Sequence, residues 1–143
     1  MTDYEIMSDE KFLNLQKKVQ RDIKLDADNV RDKILELPIL YTQYMKFYLD
    51  QRKILKMIKN DILKIRKKRY HHYKFDGDFA LANATEINLY VDGDDDMWKI
   101  TDKCDKQEAI VDYCKDVVSQ ISKMSYLIKS YVELEKLRHG IVN

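Results

Sequence analysis

Residues 34–65 read ILELPILYTQYMKFYLDQRKILKMIKNDILKI. Ile34, Leu37, Tyr41, Tyr44, Tyr48, Gln51, Leu55, Ile58, Ile62 and Ile65 recur there at alternating spacings of three and four. That is the a/d period of a helix packed along one seam. At 1.5 Å of rise per residue the seam is about 48 Å long. Leu40, Phe47 and Ile54 form a partial second stripe beside it, so the helix needs more than one packing neighbour. Pro38 lies inside the pattern, where it removes a backbone hydrogen bond. The register continues across it, which argues for a kink rather than a break.

A second seam of the same period follows later in the chain: Ile110, Cys114, Val117, Ile121, Met124, Ile128 and Tyr131. Asp105 and Glu108 resemble a capping box ahead of it, and Gly140 after Arg138 and His139 is a helix stop. Upstream, Ser8 caps a short helix whose apolar stripe is Phe12, Leu15, Val19 and Ile23. Asp26 or Asp28 serves as the cap of the long helix. The expected organisation is one helical domain over residues 1–143. It has a first helix at 8–23, a long helix at 27–74, a loop with short elements at 75–104, and a C-terminal helix at 106–139. Residues 85–91 fit a short helix or an exposed strand equally well. Three glycines and one proline in 143 residues leave few turns, which excludes sheet-rich folds. The fold class is all-α, with long helices forming a helical hairpin. Its apolar stripes are wider than one partner covers, which points to self-association.

The long helix ends in a charged block. Residues 52–74 hold ten Lys or Arg and a single acid, Asp61, so this stretch carries +9 in a chain whose net charge is +1. With so few carboxylates nearby, most of these cations cannot pair locally. Lys64, Arg66, Lys67, Lys68, Arg69 and Lys74 are interleaved with Tyr70, His71, His72 and Tyr73. Cations track a phosphate backbone and flat rings stack on bases, so these ten residues are the candidate site for single-stranded nucleic acid. The basic stretch follows the heptads instead of preceding them, unlike a bZIP protein, and no zinc-finger spacing is present. The competing reading is a coiled-coil adaptor whose basic block docks an acidic partner. A third is a dimeric duplex-binding regulator.

Other chemistry finds little footing. An EF-hand loop starting at Asp92 fails at Met97, where glycine is required, and at Lys103, where the bidentate glutamate is required. The run Asp92–Asp96 therefore reads as a solvated acidic loop, or as one that sits near the basic block and tunes its field. No phosphate loop, nucleophile elbow or HExxH motif occurs, so neither catalysis, a cofactor nor a metal site is expected. Cys104 and Cys114 lack CxxC spacing and read as free thiols, Cys114 in the core. The acidic N-terminus and the lack of a span of about 20 apolar residues point to a cytoplasmic protein with no membrane association.

Several segments together resemble a known family. LQKKVQRD (15–22), LDADNV (25–30), KKRYHHY (67–73), VDYC (111–114) and EKLRHG (135–140) occur in the order and spacing of the UvsY recombination mediators of T4-like phages. The resemblance implies a ring-shaped homo-oligomer, a hexamer or heptamer, that binds single-stranded DNA in the cytoplasm of the infected bacterium. It implies a mediator that hydrolyses no nucleotide and loads a RecA-like recombinase onto DNA covered by single-strand-binding protein. The family's Lys-x-Arg-x-x-Tyr-Tyr-like DNA contact falls on Lys67, Arg69, His72 and Tyr73. His72 stands where a tyrosine is expected, which implies weaker and more pH-dependent stacking. The family's C-terminal helix carries oligomerisation, which falls on the seam Ile110, Cys114, Val117, Ile121, Met124, Ile128 and Tyr131.

Overall fold

The computed structural model describes residues 4–76 and 83–140, and every regular element in it is helical. The elements are α1 (Asp9–Ile23), α2 (Val30–His71), a π-helical turn (His72–Asp76), α3 (Ala84–Asp92) and α4 (Asp95–Arg138). They build two compact units. One comprises Met1–Met7 with Gln51–Val111, the other Ser8–Asp50 with Asp112–Asn143. Both α2 and α4 contribute to each unit. Among the described residues no helix is long and apolar enough to cross a membrane.

In the unit built from 8–50 and 112–143, Ser8 caps α1 by accepting from the Lys11 amide at 3.2 Å. The α1–α2 link is held by side chains: the Asp26 carboxylate accepts from the amides of Asp28 and Asn29, each at 3.0 Å. The core joins Val19 of α1, Leu40 and Tyr44 of α2, and Val117, Val118, Ile121 and Met124 of α4. Leu15, Ile23, Leu37 and Tyr48 pack around it. This corrects the heptad assignment at the start of α2. Ile34 and Tyr41, placed on the seam by spacing, are exposed, and Leu40 of the flanking stripe is buried in their stead. The physical reason is that α2 meets two neighbours here, α1 and α4, which turns its buried face toward the second stripe. The Tyr44 hydroxyl donates to Asp22 at 2.6 Å, and the buried Lys33 ammonium donates to the Asp22 carbonyl, tying α1 to α2. Pro38 sits within α2, and the Thr42 hydroxyl donates to its carbonyl at 2.9 Å. At the far end of α4, Gly140 adopts φ 72° and its amide donates to the Leu137 carbonyl at 3.1 Å, a left-handed stop that glycine adopts without a Cβ clash.

In the unit built from 1–7 and 51–111, α2 and α4 run antiparallel. Gln51 pairs with Gln107 near one end and Arg69 with Asp94 near the other. Gln51, the polar member of the first seam, is thereby explained. The Gln107 amide donates to the Gln51 carbonyl at 2.9 Å and to its side-chain oxygen at 3.0 Å, both residues being buried. Ile58, Ile100 and Cys104 form one cluster, covered by Tyr4 and Ile6 of the N-terminal segment. Ile87, Val91 and Met97 form a second, against which Tyr70 and Tyr73 pack.

In this unit the structure decides one open expectation and changes another. Residues 85–91 lie in a helix, α3, capped by Asn83 accepting from the Thr85 amide at 2.8 Å. And α4 begins at Asp95, so much of the segment expected as loop at 75–104 is helical. Asp105, expected at a cap, lies inside α4 and is exposed. The true start is set by Asp94, whose carboxylate accepts from the amides of Asp96 at 2.9 Å and Met97 at 3.3 Å. Asp95 and Asp96 then occupy the first turn, where negative charge meets the positive end of the helix dipole.

Candidate nucleic-acid interface

All ten candidate residues lie at the C-terminal end of α2 or in the π-helical turn that follows, within one unit. Nine of them divide into two groups, and the tenth, His72, is half-buried beside Tyr73. Ion pairs and packing hold the first group. Arg66 donates to Asp92 at 2.9 Å and approaches Asn88 at 3.4 Å. The Arg69 Nε donates to Asp94 at 2.8 Å, and the Tyr73 hydroxyl donates to the same carboxylate oxygen at 2.7 Å. The Arg69 guanidinium also lies 5.4 Å from the Tyr73 ring centroid. Tyr70 and Tyr73 rest on the Ile87–Val91–Met97 cluster.

Asp94 is therefore the hub of the site, only 6% exposed. Burial alone pushes its carboxyl up. The hydrogen bonds from Tyr73, Arg69 and the amides of Met97 and Asp96 outweigh that and leave it below the usual carboxylate range. The same contact raises the Tyr73 phenol, first through the hydrogen bond to Asp94 and then through burial. The acidic run at 92–96 is thus more than a solvated loop. Asp92 and Asp94 bind the arginines of the basic block, and Asp94 to Asp96 start α4. Among the described residues no cluster of three His, Cys, Asp or Glu has the arrangement of a metal site.

The second group faces water. Lys64, Lys67, Lys68, His71, Lys74 and Phe75 are exposed. Helical spacing puts Lys53, Lys56, Lys64, Lys67 and His71 on one outward face of α2, with Asn60 between them. From Lys53 to His71 that face extends about 27 Å at 1.5 Å per residue. Rings accompany its end. His71 lies 4.8 Å from Phe75, and the Lys74 ammonium 5.1 Å from the Phe75 ring. His72 meets Tyr73 at 5.3 Å, and Tyr73 meets Tyr90 of α3 at 5.6 Å. Lys67 also borders a shallow cleft of about 320 Å³ with Leu63, Arg66 and Tyr70.

The helices α3 and α4 add to this surface in a way that sequence reasoning misses. Tyr90 of α3 meets Tyr73, and Lys99 and Lys103 of α4 share a groove with Lys68 and Arg69, all three being exposed. Their signal is masked by the Asp and Gly residues at 92–96, which make 75–104 read as mostly loop, where spacing carries no information about faces.

The seam Ile110, Cys114, Val117, Ile121, Met124 and Ile128 is buried within the chain itself, and Tyr131 is half-buried. Burial pushes the Cys114 thiol up to about 11, and Cys104 is raised in the same direction. Besides Trp98, the large apolar side chains of α4 that remain exposed are Tyr126, Leu127, Leu134 and Leu137. On the first part of α2 they are Ile34, Leu35, Ile39, Tyr41 and Leu49.

Three crystal forms of the bacteriophage T4 recombination mediator protein UvsY share this fold. One (lattice type II) matches with a TM-score of 0.81 at 17% identity, covering 94% of this chain and 99% of that one. Another (lattice type IV) matches with a TM-score of 0.78 at 16% identity over 89% of this chain and 98% of that one. The lattice type I form gives 0.78 at 18% identity, with coverage of 87% and 98%. No curated protein matches the chain in sequence. The family described as "Recombination, repair and ssDNA binding protein UvsY" matches residues 18–141, which is most of the chain. By that match, the chain belongs to the UvsY family of recombination, repair and single-stranded-DNA-binding proteins.

Proposed function

We propose that this protein is a non-enzymatic recombination mediator that grips single-stranded DNA along the outward face of α2. It thereby helps a RecA-like recombinase load onto strands covered by single-strand-binding protein. The observation that carries this reading is the row Lys53, Lys56, Lys64 and Lys67, exposed on one helix face and continued by His71 and the ring-bearing turn. Such a row follows a phosphate backbone without reading base edges, and rings at its end accept bases by stacking. Membership of the family supports the same substrate. Within the candidate site, Lys64, Lys67, Lys68, His71 and Lys74 contact the strand. Arg66, Arg69, Tyr70 and Tyr73 hold the end of α2 in place, with Arg69 and Tyr73 sharing Asp94.

The protein acts as a closed homo-oligomer in this reading. The seam Ile110–Tyr131 serves that assembly indirectly, because its side chains fill the core. The uncovered faces of α2 (Ile34, Leu35, Ile39) and α4 (Tyr126, Leu127, Leu134, Leu137) supply the contacts between copies. Two different faces on one chain suit a head-to-tail ring, and a ring multiplies weak strand contacts into avidity.

Three experiments test the proposal. Titration with oligo-dT, a duplex of the same length and a polyglutamate chain separates the substrates. Preference for oligo-dT supports the mediator, and preference for polyglutamate moves the protein to the adaptor reading. Recombinase filament assembly on protein-coated single strands then tests loading. Equal assembly rates with and without this protein would sink it. Light scattering after size exclusion reports the ring, and a monomeric mass would remove that part of the proposal.

A further inference from the structure

The unit that carries the basic end of α2 also holds a second set of cations. A groove of about 360 Å³ opens between the end of α2 and the first turns of α4. Lys68 and Arg69 line it from α2, and Lys99 and Lys103 from α4. Ile65 and Ile100 supply its apolar surface, and Asp96 is the one carboxylate among its lining residues. Lys68, Lys99 and Lys103 are exposed. Of the groove cations Arg69 is paired, with Asp94 at 2.8 Å, and the other ion pairs nearby use groups outside the lining: Lys106 with Asp102 at 3.4 Å and Lys59 with Glu108 at 3.6 Å.

Converging ammonium groups repel one another, and Lys99 and Lys103 are four residues apart on one helix, a spacing at which like charges destabilise. An anion in the groove turns that repulsion into attraction. The shape favours a phosphodiester over a compact free anion. Cations line both sides, and the apolar surface of Ile65 and Ile100 suits a sugar or a base face. Lys68 stands four residues from Lys64, so the groove continues the lysine row of α2 without a gap in charge.

We infer that the bound strand leaves the outer face of α2 at Lys68 and crosses onto α4, where Lys99 and Lys103 bind successive phosphates of single-stranded nucleic acid. This rests on the proposed strand-binding function and extends it to a helix outside the basic block. The groove is a phosphate-binding subsite, and it sets the direction in which the strand leaves each subunit.

The test is oligo-dT binding by the full-length protein between 50 and 200 mM salt. Lys99→Gln/Lys103→Gln is compared with Lys106→Gln/Lys129→Gln, which removes the same charge from exposed positions outside the groove. Each single-strand phosphate contact contributes about 0.7 to the slope of log K against log salt. Loss of two should flatten the slope by about 1.4, so the variant's deficit shrinks roughly sevenfold across that range. The control should keep the wild-type slope. Identical slopes for the two variants overturn the inference while wild-type binding stands. Absence of wild-type binding overturns the functional proposal and this inference together. Lysine acetylation with and without ligand gives a second readout. Oligo-dT should protect Lys99 and Lys103, and inorganic phosphate at equal phosphate concentration should not. Equal protection by inorganic phosphate would make the groove a free-anion site and refute the strand path.

Discussion

Replacing Asp94 with asparagine changes one charge and almost no volume, and it addresses the contact that fixes the end of α2. The carboxylate receives Arg69 Nε at 2.8 Å and the Tyr73 hydroxyl at 2.7 Å while capping α4 through the amides of Asp96 and Met97. A hydrogen bond to a charged group contributes about 1.5–3 kcal/mol, and breaking a buried pair costs about 3–5 kcal/mol. Asparagine is itself a good N-cap, so the cap is retained. The Arg69 side chain is 28% exposed and can rehydrate, which puts the loss near the lower bound. The expected destabilisation is about 2 kcal/mol for Asp94→Asn. For Asp94→Ala, which also removes the cap, it is about 3 kcal/mol. Urea denaturation followed by helical circular dichroism, at one protein concentration, measures both. The folded-state carboxyl lies below its ordinary range, so its contribution is fully present above that range and is lost as pH falls through the lowered value. The gap between wild type and Asp94→Asn should stay constant from about pH 5 to 8 and begin to narrow below about pH 4, closing only as pH falls through the lowered folded-state value. A variant as stable as wild type at pH 7 would refute the hub assignment. So would a double-mutant cycle with Arg69→Gln that gives no coupling.

Three further outcomes follow from the same geometry. Asp92→Asn should cost less than about 1 kcal/mol, because the Arg66–Asp92 pair is largely exposed, and it should tighten oligo-dT binding by freeing a guanidinium. A thiol reagent at pH 8 should leave Cys114 unmodified in the native protein and modify it in urea, since the thiol is buried and raised to about 11. Gln107→Ala should lower stability by about 2–3 kcal/mol in the same urea assay, because it strips the donor from the buried Gln51 oxygens and leaves a cavity.

The long helices were legible because a three-and-four spacing sustained over many residues matches the turn of an α-helix and no strand period. Their ends were legible where a side chain makes the cap, as at Ser8, or where glycine stops the helix, as at Gly140. The start of α4 is not legible because Asp-Gly-Asp at 92–94 reads equally as a turn and as the approach to a cap. The pattern that resolves it, Met97, Ile100, Cys104 and Gln107, contains a buried glutamine that hydropathy scores as surface. The same kind of residue, Gln51, interrupts the partner seam, and only their mutual hydrogen bond shows why both are tolerated.

At the basic block the composition marks a candidate region but not which of its cations are ion-paired. Arg66 and Arg69 look identical to their lysine neighbours in a charge count. Their partners, Asp92 and Asp94, lie 26 and 25 residues away in sequence, beyond the reach of any local pairing rule. The face of α2 that meets two helices was likewise undetermined by period alone, since Ile34 and Tyr41 match the heptad as well as Leu37 and Tyr44 do.

The most direct test of the central claim, that the exposed lysines of α2 grip single-stranded DNA, is oligo-dT binding across a salt series with Lys64→Ala/Lys67→Ala. Both side chains are exposed, so the fold should survive their removal. The account predicts tight wild-type binding that weakens steeply with salt. It also predicts a variant with lower affinity at low salt and a slope flatter by about 1.4. Wild-type and variant curves that superimpose would place the grip elsewhere, and a wild-type protein that ignores oligo-dT would contradict the account outright.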